Sequence, residues 1–241
     1  MKRIIVTMLV LLIFLTSCTL KSNEQVQIEK KEIELSTEKN VIATMGTEAE
    51  YDIDAYDLDV VIEHSDQIIY GEVTSMEYIV RENGVGYTKE QVTVKEVLKG
   101  DIEVGDVIPV MKMTGYFTVK EYLDSHSDVL YESTKSSFKD MTENEMKTSY
   151  IKIENENDIL SEVGQLGIYF LGFVEAEKSY FRVCGGYGEL LETGKDTFYR
   201  MESAKEMIEG DELRSRSTQS IEEESAMVTP YSLEEIENKI Q

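Results

Sequence analysis

Two long runs of alternating apolar and polar residues, joined by a turn signal, constrain most strongly what this chain can fold into. The runs extend over Gln67–Val80 and Tyr87–Gly100, and Asn83-Gly84 lies between them. Alternation with a period of two is typical of β-strands, and Asn-Gly is a strong signal for a hairpin turn. The sequence therefore predicts a hairpin. The residues predicted to share a face are Ile69, Gly71 and Val73 in the first strand, and Val92, Val94 and Leu98 in the second.

Three further apolar segments predict additional strands. "VIPVMKM" begins at Val107, and its Pro109 favours an edge or a bulge. "GQLGIYFLGFV", Gly164 to Val174, is the most apolar run after the N-terminal segment and predicts a central strand. "KSYFRVCGG" predicts a fifth strand that ends in glycines, and the following "GGYGE" favours a turn. We therefore expect a mainly β fold with mainly antiparallel strands.

A long insertion, residues 114–163, separates the third predicted strand from the fourth. It contains two capping boxes, Thr118 to Glu121 and Thr142 to Glu145, which predict two short helices. An insertion of this length with helices of its own favours a lid or a binding appendage.

The C-terminal part, residues 201–241, predicts an acidic linker followed by a helix. Ser232 to Glu235 forms a third capping box, and Leu233, Ile236 and Ile240 form a helical stripe. We expect a helix of about eight residues that packs on the β domain.

The N-terminus has the pattern of an export signal. Lys2 and Arg3 precede the apolar run Ile4–Leu15, which at ~1.5 Å per residue is too short to cross a hydrocarbon core of ~30 Å. Leu15-Thr16-Ser17-Cys18 then resembles the lipobox of bacterial lipoproteins. The resemblance implies cleavage between Ser17 and Cys18, and a diacylglyceryl group on the Cys18 thiol. It also implies acylation of the new N-terminus, for example with palmitate.

The lipobox resemblance sets the expected location and domain order. Residues 1–17 would be the signal peptide and residues 18–50 a flexible tether, because this segment is polar and has no sustained apolar period. The mature chain would be anchored to the extracytoplasmic face of the cell membrane, since two or more lipid chains bind a bilayer stably. Cys184 would then be the remaining cysteine, which excludes an intramolecular disulfide.

The charge of the chain excludes some classes of partner. Removing 17 of the 241 residues leaves 224, with 22 basic against 48 acidic residues after the loss of Lys2 and Arg3. Nucleic acids and anionic head groups are poor partners for so acidic a surface. Solubility is the simplest role for this charge, and cationic ligands or loosely held divalent cations are the alternative.

The order of the strand motifs also resembles a known group. "HSDQIIYGEV", "VTVKEVLKGD", "GQLGIYFLGFV" and "YFRV" are similar to motifs of a group of uncharacterised secreted proteins of Gram-positive bacteria. More distantly they resemble netrin-like domains, which include the tissue inhibitors of metalloproteinases. The resemblance covers residues 60–200 and implies an OB-like antiparallel barrel over residues 51–200. The inhibitors chelate zinc through a free N-terminal cysteine, which an acylated Cys18 would not provide, so the resemblance implies no inhibitory mechanism.

Residues suited to catalysis or metal binding are sparse. His64 and His126 are the two histidines, and a nucleophile pair would need one of them beside Cys184, whose alternating apolar strand predicts a buried thiol. Asp124 to Asp128, "DSHSD", could suit a metal, but it lacks the spacing of a calcium loop. Glu154 to Asp158, "ENEND", is a second acidic cluster, and we expect both clusters to be solvated loops. We predict no catalytic residue, metal or cofactor.

The predicted function is that of a non-catalytic binding or interaction module of the cell envelope, which contacts the membrane through its lipid and binds an envelope protein or a small ligand. Aromatic residues of the insertion could form a recognition surface or a small core of their own, with the core favoured. These residues are Tyr116, Phe117, Tyr122 and Tyr131. The alternative is an envelope enzyme, such as a hydrolase, with its site in the insertion. Exposed aromatic side chains would favour binding, and a metal pocket at Asp124, His126 and Asp128 would favour the enzyme.

Overall fold

The computed structural model describes residues 40–47, 50–81, 84–155, 157–201, 203–204 and 230–241. The predicted signal peptide, Cys18, most of the predicted tether and most of the acidic linker lie outside the described residues. No helix in the described part of the chain is both long and apolar enough to cross a membrane.

The chain is mainly β, as its sequence predicts. The strands are β1 (Asn40–Thr47), β2 (Gln67–Val80), β3 (Gly86–Lys99), β4 (Val107–Lys112), β5 (Gly115–Thr118), β6 (Ser149–Asn155), β7 (Leu166–Val174), β8 (Ser179–Arg182), β9 (Glu189–Gly194) and β10 (Thr197–Arg200). The helices are α1 (Leu58–Glu63), α2 (Val119–Asp124), α3 (Asp128–Lys135), α4 (Glu143–Thr148) and α5 (Leu233–Ile240). Short 3₁₀ turns extend over Ser136–Phe138 and Gly185–Gly188.

Seven strands form one mixed sheet in the order β10-β9-β7-β2-β3-β4-β8. All neighbours in it are antiparallel except β4 and β8, which are parallel. Strand β8 also pairs with β7, so the pairings from β7 through β2, β3 and β4 return to β7. The closure is uneven, because β4 and β8 pair only at Val110↔Tyr180 and Met111↔Phe181.

The predicted hairpin is confirmed, and β-bulges change its pattern. Strands β2 and β3 pair from Val80↔Gly86 to Ile68↔Lys99. The register shifts where Lys95 is an extra residue on β3, and a bulge of this kind turns the following side chains to the other face. Leu98 therefore packs with a different cluster from Val92 and Val94, and the prediction that the three share a face is wrong for Leu98.

Apolar cores lie on both faces of β2. Ile69 and Val73 are buried on one face among side chains of β3, β4 and β7. Ile68, on the other face, is covered by helices α1 and α5. Helix α5 begins at the predicted capping box: the Ser232 side chain accepts from the Glu235 N–H, and Ile236 is fully buried. The predicted C-terminal helix is thus confirmed.

The insertion contributes β5 and β6 to a second sheet, whose third strand is β1, in the order β1-β6-β5. Its two predicted capping boxes begin helices α2 and α4, and Val119, Leu123 and Ile151 form its core. Strand β1 lies inside the predicted tether, so the tether prediction is wrong for residues 40–47. The reason is a distant contact: β1 pairs in parallel with β6, and Ala43 packs against the core of the insertion.

Candidate functional site

Five ionisable side chains are buried together where the insertion returns to the main sheet. This buried ionic cluster consists of Glu90, Lys112, Asp158, Arg182 and Glu189. Strands β3, β4, β8 and β9 each supply one member, and the segment after β6 supplies Asp158.

Strand alternation explains why charged side chains face inward here. Glu90 lies two residues before Val92, and Lys112 lies two residues after Val110, so both continue rows of buried apolar residues. Because side chains two apart share a face of a strand, folding buries these charges with their apolar neighbours. A buried charge is tolerated when it is paired and hydrogen-bonded.

Lys112 lies at the centre of the cluster. Its Nζ is 3.2 Å from Asp158 Oδ1, 3.4 Å from Glu189 Oε2 and 4.0 Å from Glu90 Oε1. It also donates a hydrogen bond of 2.9 Å to Ser161 Oγ, whose hydroxyl in turn donates to Glu90. One ammonium group thus contacts three carboxylates and a serine.

Arg182 bridges two of the same carboxylates. Its Nη1 lies 2.7 Å from Glu189 Oε2 and 3.1 Å from Asp158 Oδ1, and its Nη2 donates to Asp158 Oδ2. Gln165 Nε2 donates to the other oxygen of Glu189 at 2.9 Å. A two-pronged Arg–carboxylate contact adds geometric specificity to the charge pairing.

The cluster contains two cations and three carboxylates, and the pKa values of Glu90 and Asp158 are shifted in opposite directions. Burial raises the pKa of Glu90, and the charge of Glu189 raises it further, against the opposing effect of Lys112. Burial also disfavours the charged form of Asp158, but Arg182 and Lys112 outweigh this and hold its pKa below the usual value. A protonated Glu90 would leave the remaining four charges balanced.

The hydrogen bond between Lys112 and Ser161 has the length of a base–nucleophile contact, but its surroundings do not suit catalysis. Both side chains are buried, and the Lys112 ammonium is engaged with carboxylates. An activated serine needs a base that can accept its proton and a substrate that can reach it. Within the described residues, Glu90 Oε2, Thr114 Oγ1, Tyr169 OH and Arg182 Nε lack a protein partner. The arrangement is suited to holding the fold together.

The sequence reasoning missed this cluster. It predicted a solvated loop at Glu154 to Asp158, which is wrong for Asp158, because Asp158 is buried against Arg182 and Lys112. The available signal was a lysine and an arginine at inward positions of otherwise apolar strands. Such cations need carboxylate partners, and Glu90 offered one in the same kind of position.

The other acidic segment does not gather its side chains. Asp124 forms an ion pair with Lys120 at 2.6 Å, and His126 Nδ1 lies 2.7 Å from the carbonyl oxygen of Tyr122. Asp128 begins helix α3, and its side chain lies outside the described residues. In the part of the chain that the structure describes, no three His, Cys, Asp or Glu side chains are placed to hold a metal ion.

Cys184 has an apolar environment. It is buried with Ala55 and Tyr187, and burial raises the pKa of its thiol. His64 Nδ1 lies 2.8 Å from the carbonyl oxygen of Val60, and His126 contacts Tyr122 as described above. These contacts give no support to a cysteine–histidine pair.

Aromatic side chains of the insertion contribute mainly to its own core. Tyr122 and Tyr131 pack against the core of the insertion, which confirms the favoured alternative for these two. Phe117 is buried with its ring edge-on to Tyr78 of β2. Tyr116 contacts the ring of Tyr78 edge-on.

An aromatic pair with one exposed ring lies instead where β7 ends and β8 begins. The Phe173 and Tyr180 rings are 5.0 Å apart, and Phe173 is 43% exposed. The adjacent Val174 is 38% exposed. We call Phe173 and Tyr180 the aromatic rim. Burial raises the pKa of Tyr180, and the charges of Asp101 and Asp106 raise it further.

Comparison with protein-family models finds no match for the chain, and neither does a search of curated proteins.

Proposed function

We propose that this chain is a lipid-anchored binding protein of the cell envelope, built on an OB-like barrel, whose partner contacts the aromatic rim. The observation that carries the proposal is the exposure of Phe173 beside the ring of Tyr180. Exposed apolar side chains that adjoin one another favour an interaction site, and aromatic residues are enriched among those that dominate binding.

The strand order supports the OB-like part of the proposal. Strands β2, β3, β4, β8 and β7 pair in that order, and β7 pairs with β2. An OB-fold has this order, with its third and fifth strands parallel as β4 and β8 are. The insertion would then occupy the connection between the third and fourth barrel strands. OB-folds serve widely as binding modules, and this likeness is an analogy of fold alone.

The anchored location rests on the sequence. Lys2 and Arg3, the short apolar run and the lipobox-like Leu15-Thr16-Ser17-Cys18 agree in order and spacing. A tether after Cys18 would hold the domain off the membrane. A net charge of −24 for the whole chain would keep it away from anionic head groups.

A non-catalytic role is supported by the state of the ionisable groups. The buried ionic cluster is paired internally, and Asp124 and His126 are engaged with their own helix. The aromatic rim, by contrast, presents apolar area to solvent. A partner can bury such apolar area at the core of an interface.

Site-specific photocrosslinking in intact cells tests the proposal. A photoreactive phenylalanine analogue replaces Phe173, and the same analogue at Tyr56 is the control, since Tyr56 is 69% exposed and belongs to another ring pair. We expect one recurrent adduct from position 173, identified by mass spectrometry, that position 56 does not give. No adduct, or the same adducts from both positions, would contradict a partner at the rim.

A further inference from the structure

We infer that Lys112 and Asp158 become covalently joined inside the buried ionic cluster, by an amide between the lysine Nζ and the aspartate carboxyl carbon. The reaction releases one water molecule and requires no second substrate. The inference goes beyond the proposed function, because it concerns a modification of the chain itself and not its binding surface. Three features carry it: the contact between the two groups, their exclusion from solvent, and the neighbours that stabilise charge and move a proton.

Of the three carboxylates around Lys112, that of Asp158 is the nearest. The lysine Nζ lies 3.2 Å from Asp158 Oδ1, compared with 3.4 Å for Glu189 Oε2 and 4.0 Å for Glu90 Oε1. The carboxyl carbon that the amine would attack is one bond beyond Oδ1. Well-oriented groups of one molecule react as if each were present at about 10⁵–10⁸ M, so holding the amine and the carboxyl together favours their condensation.

Arg182 distinguishes Asp158 from Glu189 as the acceptor. Its Nη1 lies 3.1 Å from Asp158 Oδ1 and its Nη2 donates to Oδ2, so both oxygens of this carboxyl face the guanidinium. Negative charge develops on these oxygens when an amine attacks the carbon between them, and donors already in position stabilise such charge. Glu189 has one oxygen on Arg182, and its other oxygen accepts from the neutral amide of Gln165.

The interior favours the neutral product over the ion pair. The Lys112 side chain is fully buried and that of Asp158 almost so. Enclosing two charges is costly even when they are paired, and an amide carries no charge. The bond removes one positive and one negative charge, so the net charge of the cluster is unchanged. Arg182 and Glu189 remain paired with each other at 2.7 Å.

Ser161 and Glu90 provide a place for the proton that the amine must lose. Lys112 Nζ donates to Ser161 Oγ at 2.9 Å, and the Ser161 hydroxyl donates to Glu90. Burial raises the pKa of Glu90, so this carboxylate accepts a proton more readily than one in water.

The protons and bonds of the reaction balance. One ammonium proton passes to the Asp158 carboxylate, which leaves a free amine and a carboxylic acid. The C–N bond then forms, and the C–O bond to the protonated oxygen breaks. Ser161 and Glu90 hold the second ammonium proton until the departing hydroxyl takes it and leaves as water. The third proton remains on the amide nitrogen, and Ser161 and Glu90 end unchanged.

The bond would tie the end of β4 to the segment that follows β6. The chain between them, which contains β5, β6 and helices α2 to α4, would become a closed covalent loop. A cross-link of this kind stabilises a fold mainly by restricting the unfolded chain. Within the described residues the cysteine, Cys184, is free, so no disulfide restricts this part of the chain.

Mass spectrometry of the purified full chain, denatured and then digested with a protease, tests the inference. We expect the peptides that contain Lys112 and Asp158 to be joined, with a mass smaller than their sum by one water. Fragmentation of the joined pair locates the bond. Lys120 and Asp124 are the control in the same digest: they lie 2.6 Å apart but are partly exposed, and they should remain unlinked.

Glu90→Gln tests the proton path. Glutamine keeps an oxygen for the Ser161 hydroxyl but cannot take up the proton, so the linked fraction of freshly produced protein should fall about tenfold or more. Circular dichroism checks that the variant has folded. An unchanged linked fraction would overturn the role of Glu90.

The wild-type digest is decisive even if the variant does not fold. Recovery of Lys112 and Asp158 only in separate, unmodified peptides would overturn the inference, and so would a bond from Lys112 to Glu189. The crosslinking experiment at the aromatic rim is independent of this result, so the proposed function and the inference can fail separately.

Discussion

Arg182 Nη1 on β8 lies 3.1 Å from Asp158 Oδ1, in the segment that returns from the insertion to the main sheet. Both side chains are almost wholly buried, and Lys112 contacts the same oxygen of Asp158 at 3.2 Å. The pairing joins two parts of the chain that are 24 residues apart. The pair therefore fixes the position of the segment that follows the insertion. It also places a positive and a negative charge together in the interior.

Removing Arg182 should destabilise the protein severely. Arg182→Met leaves Asp158 and Glu189 short of their main cation, and breaking a buried pair costs about 3–5 kcal/mol. Chemical denaturation measures the loss. The matched control is Arg81→Met, because Arg81 pairs with Glu177 at 2.7 Å at the surface and should cost about 1 kcal/mol. Similar losses for the two variants would contradict a special role for the buried pair.

The stability of the fold should depend on the protonation of Glu90. The folded-state pKa of Glu90 is raised above its ordinary 4.5, so the stability that its protonated form contributes is fully present below pH 4.5. That contribution is lost as the pH rises through the folded-state value. The pKa of Asp158 is lowered from 3.8, so its contribution is present above pH 3.8 and is lost as the pH falls through its folded-state value.

Glu90→Gln provides the test, because it keeps an oxygen for the Ser161 hydroxyl and cannot ionise. The free energy of unfolding of wild type, relative to that of the variant, should fall as the pH rises above 4.5. Urea denaturation at a series of pH values measures both. Parallel curves for the two proteins would show that Glu90 does not titrate in this range.

Gly167 should not tolerate a side chain. A Cβ on Gly167 would lie 2.8 Å from the backbone carbonyl oxygen of Leu190, and Gly167 pairs directly with Gly71 on β2. The backbone must shift to relieve this contact, so we expect Gly167→Ala to cost about 1–3 kcal/mol. Gly46→Ala is the matched control: it also lies in a strand, nothing approaches its Cβ position within 4 Å, and little change is expected in a thermal melt.

The cap of helix α5 should contribute measurably to stability. Ser232 Oγ accepts from the Glu235 N–H at 3.2 Å, and the Glu235 side chain accepts from the Ser232 N–H at 2.7 Å. Ser232→Ala removes the cap and should lower the free energy of unfolding by about 1 kcal/mol. Ser232→Thr keeps an oxygen in place and should lower it much less. An equally large loss of unfolding free energy for Ser232→Thr would show that the capping hydroxyl at position 232 does not stabilise helix α5.

Cys18→Ala tests the lipid anchor. If Cys18 carries the lipid, the variant should appear in the medium or remain unprocessed, whereas wild type should sediment with membranes. Metabolic labelling with a palmitate analogue should mark wild type only. Unchanged sedimentation of the variant, together with no label on wild type, would contradict lipidation.

The features that could be predicted from the sequence depend on neighbours along the chain. The β2–β3 hairpin follows from alternation and a short turn. Helices α2, α4 and α5 begin at capping boxes, in which residues three apart satisfy each other's backbone groups. Such signals involve few residues and operate before the chain has folded, so reading them requires no knowledge of the tertiary structure.

Other features depend on contacts that the local pattern does not contain. Strand β1 forms because Asn40–Thr47 meets β6, more than 100 residues later, and Leu98 changes face because a bulge at Lys95 shifts the alternation. Asp158 is buried because two distant cations need it, although its own segment is polar.

By itself, the sequence determined the β2–β3 hairpin, the capped helices α2, α4 and α5, the export pattern and the acidic charge of this protein, because each is a property of adjacent residues. Only the tertiary structure decided which charges are buried and which aromatic residues are exposed. Lys112 is buried beside Glu189, and Phe173 is left in solvent beside Tyr180. Burial is a property of the whole packed chain, since strands far apart in sequence must come together before a side chain is enclosed or exposed.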